Sequence, residues 1–118
     1  MNQDWHNKGN VMNKIRITVL SVELKSDLIE QYGYEKLEKC PWHNEGDTFI
    51  TDFRKPDSFC TDAWNCIDKF VFALAHTKEP LFWNDWAKQG KAVACCNDGL
   101  RPVTFLIEAL NEAAPQIG

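Results

Sequence analysis

Residues 95 to 103 read Cys-Cys-Asn-Asp-Gly-Leu-Arg-Pro-Val, so two adjacent thiols, a carboxylate, a turn glycine and a guanidinium crowd one short stretch. Fold alone seldom demands that density of reactive groups, and thiols beside charged side chains are the material of nucleophilic, redox or metal chemistry. Cys95, Cys96, Asp98 and Arg101 are therefore candidate site residues. Arg101 is placed to hold an anionic ligand or stabilise a thiolate, with pairing to Asp98 or Glu108 as the plainer alternative. Asp98 before Gly99 is also ordinary turn chemistry. Neighbouring strand residues face opposite sides, so Cys95 and Cys96 reach one site together only if the backbone bends.

Three more cysteines lie upstream. Cys60 falls in the first turn of the clearest helix, where free N–H groups and the positive end of the dipole favour a thiolate, and it is the expected reactive thiol. Packing on the helix flank is its competing reading. Cys66 lies on the apolar stripe of the same helix and reads as core filler. Cys40 precedes Pro41 in a stretch that also carries His43, Glu45 and Asp47. A ligand set of Cys40, Cys60 and Cys95 or Cys96, with His43 as an outlying member, would suit zinc or another soft metal. No pair has the short spacing of zinc ribbons, so the fold must assemble any such site.

Five cysteines cannot all pair within one chain. The start Met1-Asn2-Gln3-Asp4-Trp5-His6 has no apolar run to act as an export signal, so a reducing cytoplasmic setting is expected, and metal binding, redox chemistry or burial outrank a disulfide framework. No stretch is long and apolar enough to read as a membrane span. A net charge of −4 with dispersed Lys and Arg lacks the footprint of a phosphate-backbone binder, so nucleic acid is not an expected partner. A small anionic ligand or a protein is.

At 118 residues, 44% hydrophobic, the chain has the material for one domain with a real core. Residues 1–13 read as a polar tail, 14–112 as the domain and 113–118 as a frayed end. Ile15 to Val22 is β-branched, with Ile15, Ile17 and Val19 on one face of a strand. Asp27 and Glu30 start a short helix that Gly33 stops, and a second helical piece runs to Cys40, where Pro41 ends it. Thr48 to Phe53 reads as a strand. Ser58 to His76 is the clearest helix, with Phe59, Ala63, Cys66, Ile67, Phe70 and Leu74 on one stripe. Pro80 opens a short helix through Trp83 and Trp86, two rings able to wall a pocket, and Gly90 ends it. Strands over Ala92 to Cys96 and Pro102 to Leu110 flank the Asn97–Leu100 turn, with Pro102 at an edge or non-hydrogen-bonded position. The irregular order implies an α+β domain with a small, mainly antiparallel sheet and helices packed on one side.

Cys40-Pro41, Gly46-Asp47-Thr48-Phe49, Phe59-Cys60-Thr61-Asp62-Ala63-Trp64 and the run from Cys95 to Phe105 together resemble an uncharacterised family of small bacterial and archaeal proteins. The resemblance covers roughly residues 14 to 110. It implies a compact domain carrying Cys40, Cys60, Cys95 and Cys96, and no reaction. Cys66 matches none of these motifs, and the segment from His76 to Pro80 lacks the glycines of the family's turn. Two functions compete: a thiol-based site, metal-binding or nucleophilic, and a non-catalytic binding module whose cysteines are structural. Whether the chain is an enzyme stays open at this point.

Overall fold

The computed structural model describes residues 12–77, 79, 81 and 86–114. The β-branched segment forms β1, Asn13–Val22, followed by α1, Ser26–Tyr32, and β2, Thr48–Thr51. Then come α2, Thr61–His76, β3, Lys91–Cys95, and β4, Val103–Ala113. The strands make one antiparallel sheet in the order β2-β1-β4-β3, in an α+β domain.

Alternation along the strands sets the two faces. Ile15, Ile17 and Val19 of β1 and Val103, Phe105 and Ile107 of β4 are buried. Register places Ile17 opposite Ile107 and Val19 opposite Phe105. β3 adds buried Ala92 to the same face, opposite Ile107. Against this face lies α2 through Ala63, Trp64, Ile67, Val71, Leu74 and Ala75. Each large side chain removed from water here contributes about 1.5–3 kcal/mol. The other face carries Glu108 of β4 between Arg16 of β1 and Lys91 of β3, bonded to Arg16 Nη2 at 3.0 Å and Lys91 Nζ at 2.7 Å. Among the described residues no helix is long and apolar enough to cross a membrane.

Several expected boundaries move, each for a local reason. No helix runs from Tyr34 to Cys40. Lys36 sits at φ 69°, a conformation a helix cannot hold, and Tyr34 is exposed. The helix α1 itself has no buried residue. Strand β2 stops at Thr51 because the Asp52 carboxylate accepts the N–H groups of Phe53 and Arg54 and turns the chain. Helix α2 starts at Thr61, which makes Cys60 its N-cap residue rather than part of its first turn. Its buried stripe is rotated toward Trp64, Val71 and Ala75, leaving Cys66 and Phe70 half-buried on the border. Pro102 lies one residue before β4, where its missing N–H costs no ladder bond.

Strands β1 and β4 reach slightly past the expected domain bounds. Asn13 pairs with Ala113, and the N–H of Ala114 donates to the Met12 carbonyl at 2.7 Å. Residues 1–11 and 115–118 lie outside the described residues, as do Pro80 and Trp83 of the expected short helix. Trp86 is described and exposed.

Candidate functional site

The turn just before β2 does most to shape the site. Gly46 takes φ 92°, a left-handed conformation suited to glycine. This lets the Gly46 N–H reach the Val19 carbonyl and the Val19 N–H reach the Asp47 carbonyl, both at 2.8 Å. The Asp47 carboxylate also accepts the Asn44 N–H at 2.9 Å. So stitched to β1, where the β1–β4 register shifts between Val19 and Ser21, the turn drives His43 inward.

His43 is only 2% exposed. Its ring meets Phe59 at 4.8 Å between centroids, Phe49 at 5.5 Å and Phe105 at 5.6 Å. Burial holds the imidazole pKa below its ordinary value, against the opposing pull of the Asp47 carboxylate. The ring is therefore neutral at neutral pH. The Cys60 N–H donates to Nε2 at 3.4 Å, which makes Nε2 the acceptor and assigns the ring proton to Nδ1. This bond satisfies one of the donors that a helix start leaves open. Cys60 Sγ makes no capping bond.

The third wall is the connection between β3 and β4. Cys96 and Val103 close it: the Cys96 N–H donates to the Val103 carbonyl at 3.0 Å, and the Val103 N–H donates to Cys96 Sγ at 3.3 Å. Between them Asp98 Oδ1 accepts the N–H groups of Leu100 and Arg101, both at 2.9 Å, and Oδ2 accepts Arg101 Nε at 3.0 Å. Burial raises the Asp98 pKa, but these donors outweigh it and hold the carboxyl below its usual range. Asp98 is thus an ionised turn-former whose oxygens are already engaged, and that favours the turn reading over its candidacy as a catalytic residue.

These three segments enclose a cleft of about 130 Å³. Cys40, His43, Cys60, Cys96, Asp98 and Arg101 all line it, so most of the candidate residues converge. Cys95 does not line it. Strand alternation turns Cys95 to the opposite side, where it is exposed. Cys66 is also outside the cleft and half-buried. Burial pushes its thiol pKa up, with the Cys96 thiol adding to the effect and Lys69 opposing it.

Among the lining residues that the sequence left unassigned are Trp42 and Asp62. Trp42 sits at the cleft 63% exposed, and its only sequence signal was its place beside Cys40-Pro41. Asp62 lies in the first turn of α2, where a carboxylate is so common that the position marks nothing.

The expected metal-ligand set is not assembled. Among the described residues no three His, Cys, Asp or Glu side chains are grouped to hold a metal ion. Three members show competing engagements: Cys95 faces away, His43 Nε2 takes the Cys60 N–H, and Cys96 Sγ takes the Val103 N–H. All five cysteines are free thiols. No family model, curated protein or solved structure matches the chain.

Proposed function

We propose that the cleft is a reactive-thiol site in which Cys60 attacks a small electrophile, with Cys40 or Cys96 as the second thiol. The supporting observation is that three cysteines far apart in sequence line one cleft beside the start of a sixteen-residue helix. Cys60 is the attacking group because it sits at the N-cap of α2, beside the N–H groups that a helix start leaves open. Its sulfur is not already spent on a cap. His43 positions that N-cap through the backbone bond and does not act as the base, since its Nε2 lone pair is taken.

With a small disulfide as electrophile, Cys60 sulfur attacks one ligand sulfur, the ligand S–S bond breaks and the first ligand thiol leaves. The second cleft thiol then attacks Cys60 sulfur and releases the other ligand thiol. Two protein thiols lose two electrons and two protons to the ligand, and one protein disulfide forms.

The test uses Cys95→Ser protein, which removes the exposed thiol that lies outside the cleft. Treatment with one equivalent of a small aromatic disulfide, followed by peptide mass mapping, should find Cys60 in the first mixed disulfide and then a bridge from Cys60 to Cys40 or Cys96. A first adduct on Cys66, or no reaction at Cys60, overturns the reading.

A second reading is supported by a different observation. Cys40, Cys60, Cys66 and Cys96 all pack against the hydrophobic core, as free cysteines acting as small hydrophobes do. On this reading the domain binds a ligand without chemistry, and every cleft thiol reacts no faster than an ordinary protected one.

A further inference from the structure

We infer that the electrophile taken by this cleft carries a carboxylate, which docks on the Nη groups of Arg101 while its reactive atom meets Cys60. The inference rests on the thiol reading above and specifies its substrate class.

Arg101 is held unusually firmly for a half-exposed arginine. Its own N–H and its Nε both go to Asp98. On either side of it, the Leu100 carbonyl accepts the Lys25 N–H and the Pro102 carbonyl accepts the Glu23 N–H, each at 2.9 Å. The backbone is pinned and the guanidinium is anchored through one nitrogen. Neither Nη group has a hydrogen-bond partner among the described residues. An arginine has five N–H donors in a fixed fork, so using Nε alone leaves the end-on pair for a second anion. Because the pair is already oriented, a carboxylate arriving there meets donors that lose little freedom on binding it.

The volume selects the size of the guest. A cleft of about 130 Å³ is well below the roughly 300 Å³ at which drug-sized pockets begin. It admits a short carboxylate-bearing chain and is too small to enclose a nucleotide. The reactive walls and Arg101 line the same small space, so a guest bound by its carboxylate is brought to the thiols. The step is a displacement: Cys60 sulfur forms a bond to the electrophilic atom, the leaving group departs with the electron pair of its own bond, and the thiol proton goes to water.

Iodoacetate and iodoacetamide form a near-isosteric pair that differs in charge, and both alkylate thiolates with loss of iodide. On Cys95→Ser protein, the ratio of iodoacetate to iodoacetamide rates at Cys60, followed by peptide mass mapping, should exceed that of a free thiol by about tenfold, the worth of a charge-assisted hydrogen bond. Arg101→Gln should return the ratio to the free-thiol value. Sodium acetate, against sodium chloride at equal ionic strength, should slow alkylation by iodoacetamide in protein that retains Arg101, which tests the subsite without relying on the folding of a variant. If Cys60 reacts with iodoacetamide but shows no preference for iodoacetate and no protection by acetate, the carboxylate subsite is wrong and the thiol reading stands. If Cys60 reacts with neither reagent, both fall.

Discussion

The N–H of Cys60 points at Nε2 of His43 across 3.4 Å, between residues seventeen positions apart. A helix start that would ordinarily be capped by its own side chain is instead held by a buried ring from a preceding loop. The arrangement leaves the Cys60 sulfur free of capping duty and ties the loop carrying Cys40 and Trp42 to α2. It also makes the start of α2 depend on a titratable group.

That dependence sets a pH response. Burial keeps the folded His43 pKa below its ordinary 6.5, with Asp47 pulling the other way, so in falling pH the unfolded chain takes up a proton that the folded chain refuses. Stability from this group is intact above 6.5 and declines as pH drops from there toward the lower folded value, where the loss is complete. Urea midpoints measured from about pH 7.5 to about 5 should fall for the wild type across this window. His43→Gln keeps an acceptor and does not titrate, so its midpoint should be lower at neutral pH but flatter over the same range. Equal slopes would show that His43 is not the group responsible.

The two cysteines of α2 should separate by reactivity. Burial raises the Cys66 thiol pKa, with Cys96 adding to it, so at neutral pH Cys66 is mostly protonated and should be alkylated more slowly than Cys60. Cys66→Ser replaces a half-buried thiol packed on the core and should cost about 1 kcal/mol. Cys60→Ser occupies an N-cap and should cost little, because serine caps well. Site-resolved alkylation rates and chemical denaturation check both halves. Faster labelling at Cys66 would refute the assignment.

Asp98 is expected to matter for stability more than for chemistry. Asp98→Ala strands two backbone N–H groups and the Arg101 Nε, and should cost about 1–3 kcal/mol. Asp98→Asn keeps an oxygen for the turn and should cost less. Since the folded carboxyl titrates below its ordinary 3.8, its stabilisation is present above that value and is lost as pH falls through the lower folded one. Denaturant midpoints of the two variants should therefore differ at neutral pH, and matching midpoints would remove the turn-forming role.

Much of the architecture was legible along the chain. Strand alternation in β1 and β4 and the apolar stripe of α2 follow local periodicity, which a sequence displays directly. The same rule foretold that Cys95 and Cys96 would part company, and it did so without knowledge of any site. Where local signals misled, the backbone took another path: the segment ending at Cys40 looked helical, but Lys36 is left-handed and breaks a helix there. The stripe of α2 was read too far toward Cys66, because helical spacing defines a face only to within a residue and the sheet chooses the rotation.

By itself, then, the chain of residue types determined an α+β domain with a chemically dense β3–β4 connection and the cysteines worth watching. Only the tertiary structure decided that Cys40, Cys60 and Cys96 share a cleft while Cys95 and Cys66 do not, that His43 is a buried support and not an outlying ligand, and that Asp98 serves its own turn. Those facts depend on contacts between distant segments, above all the Gly46–Asp47 turn clamped to Val19 and the hairpin closed by Cys96 and Val103. Such contacts leave no periodic trace in the sequence, because each is set by where two independently formed pieces of backbone meet.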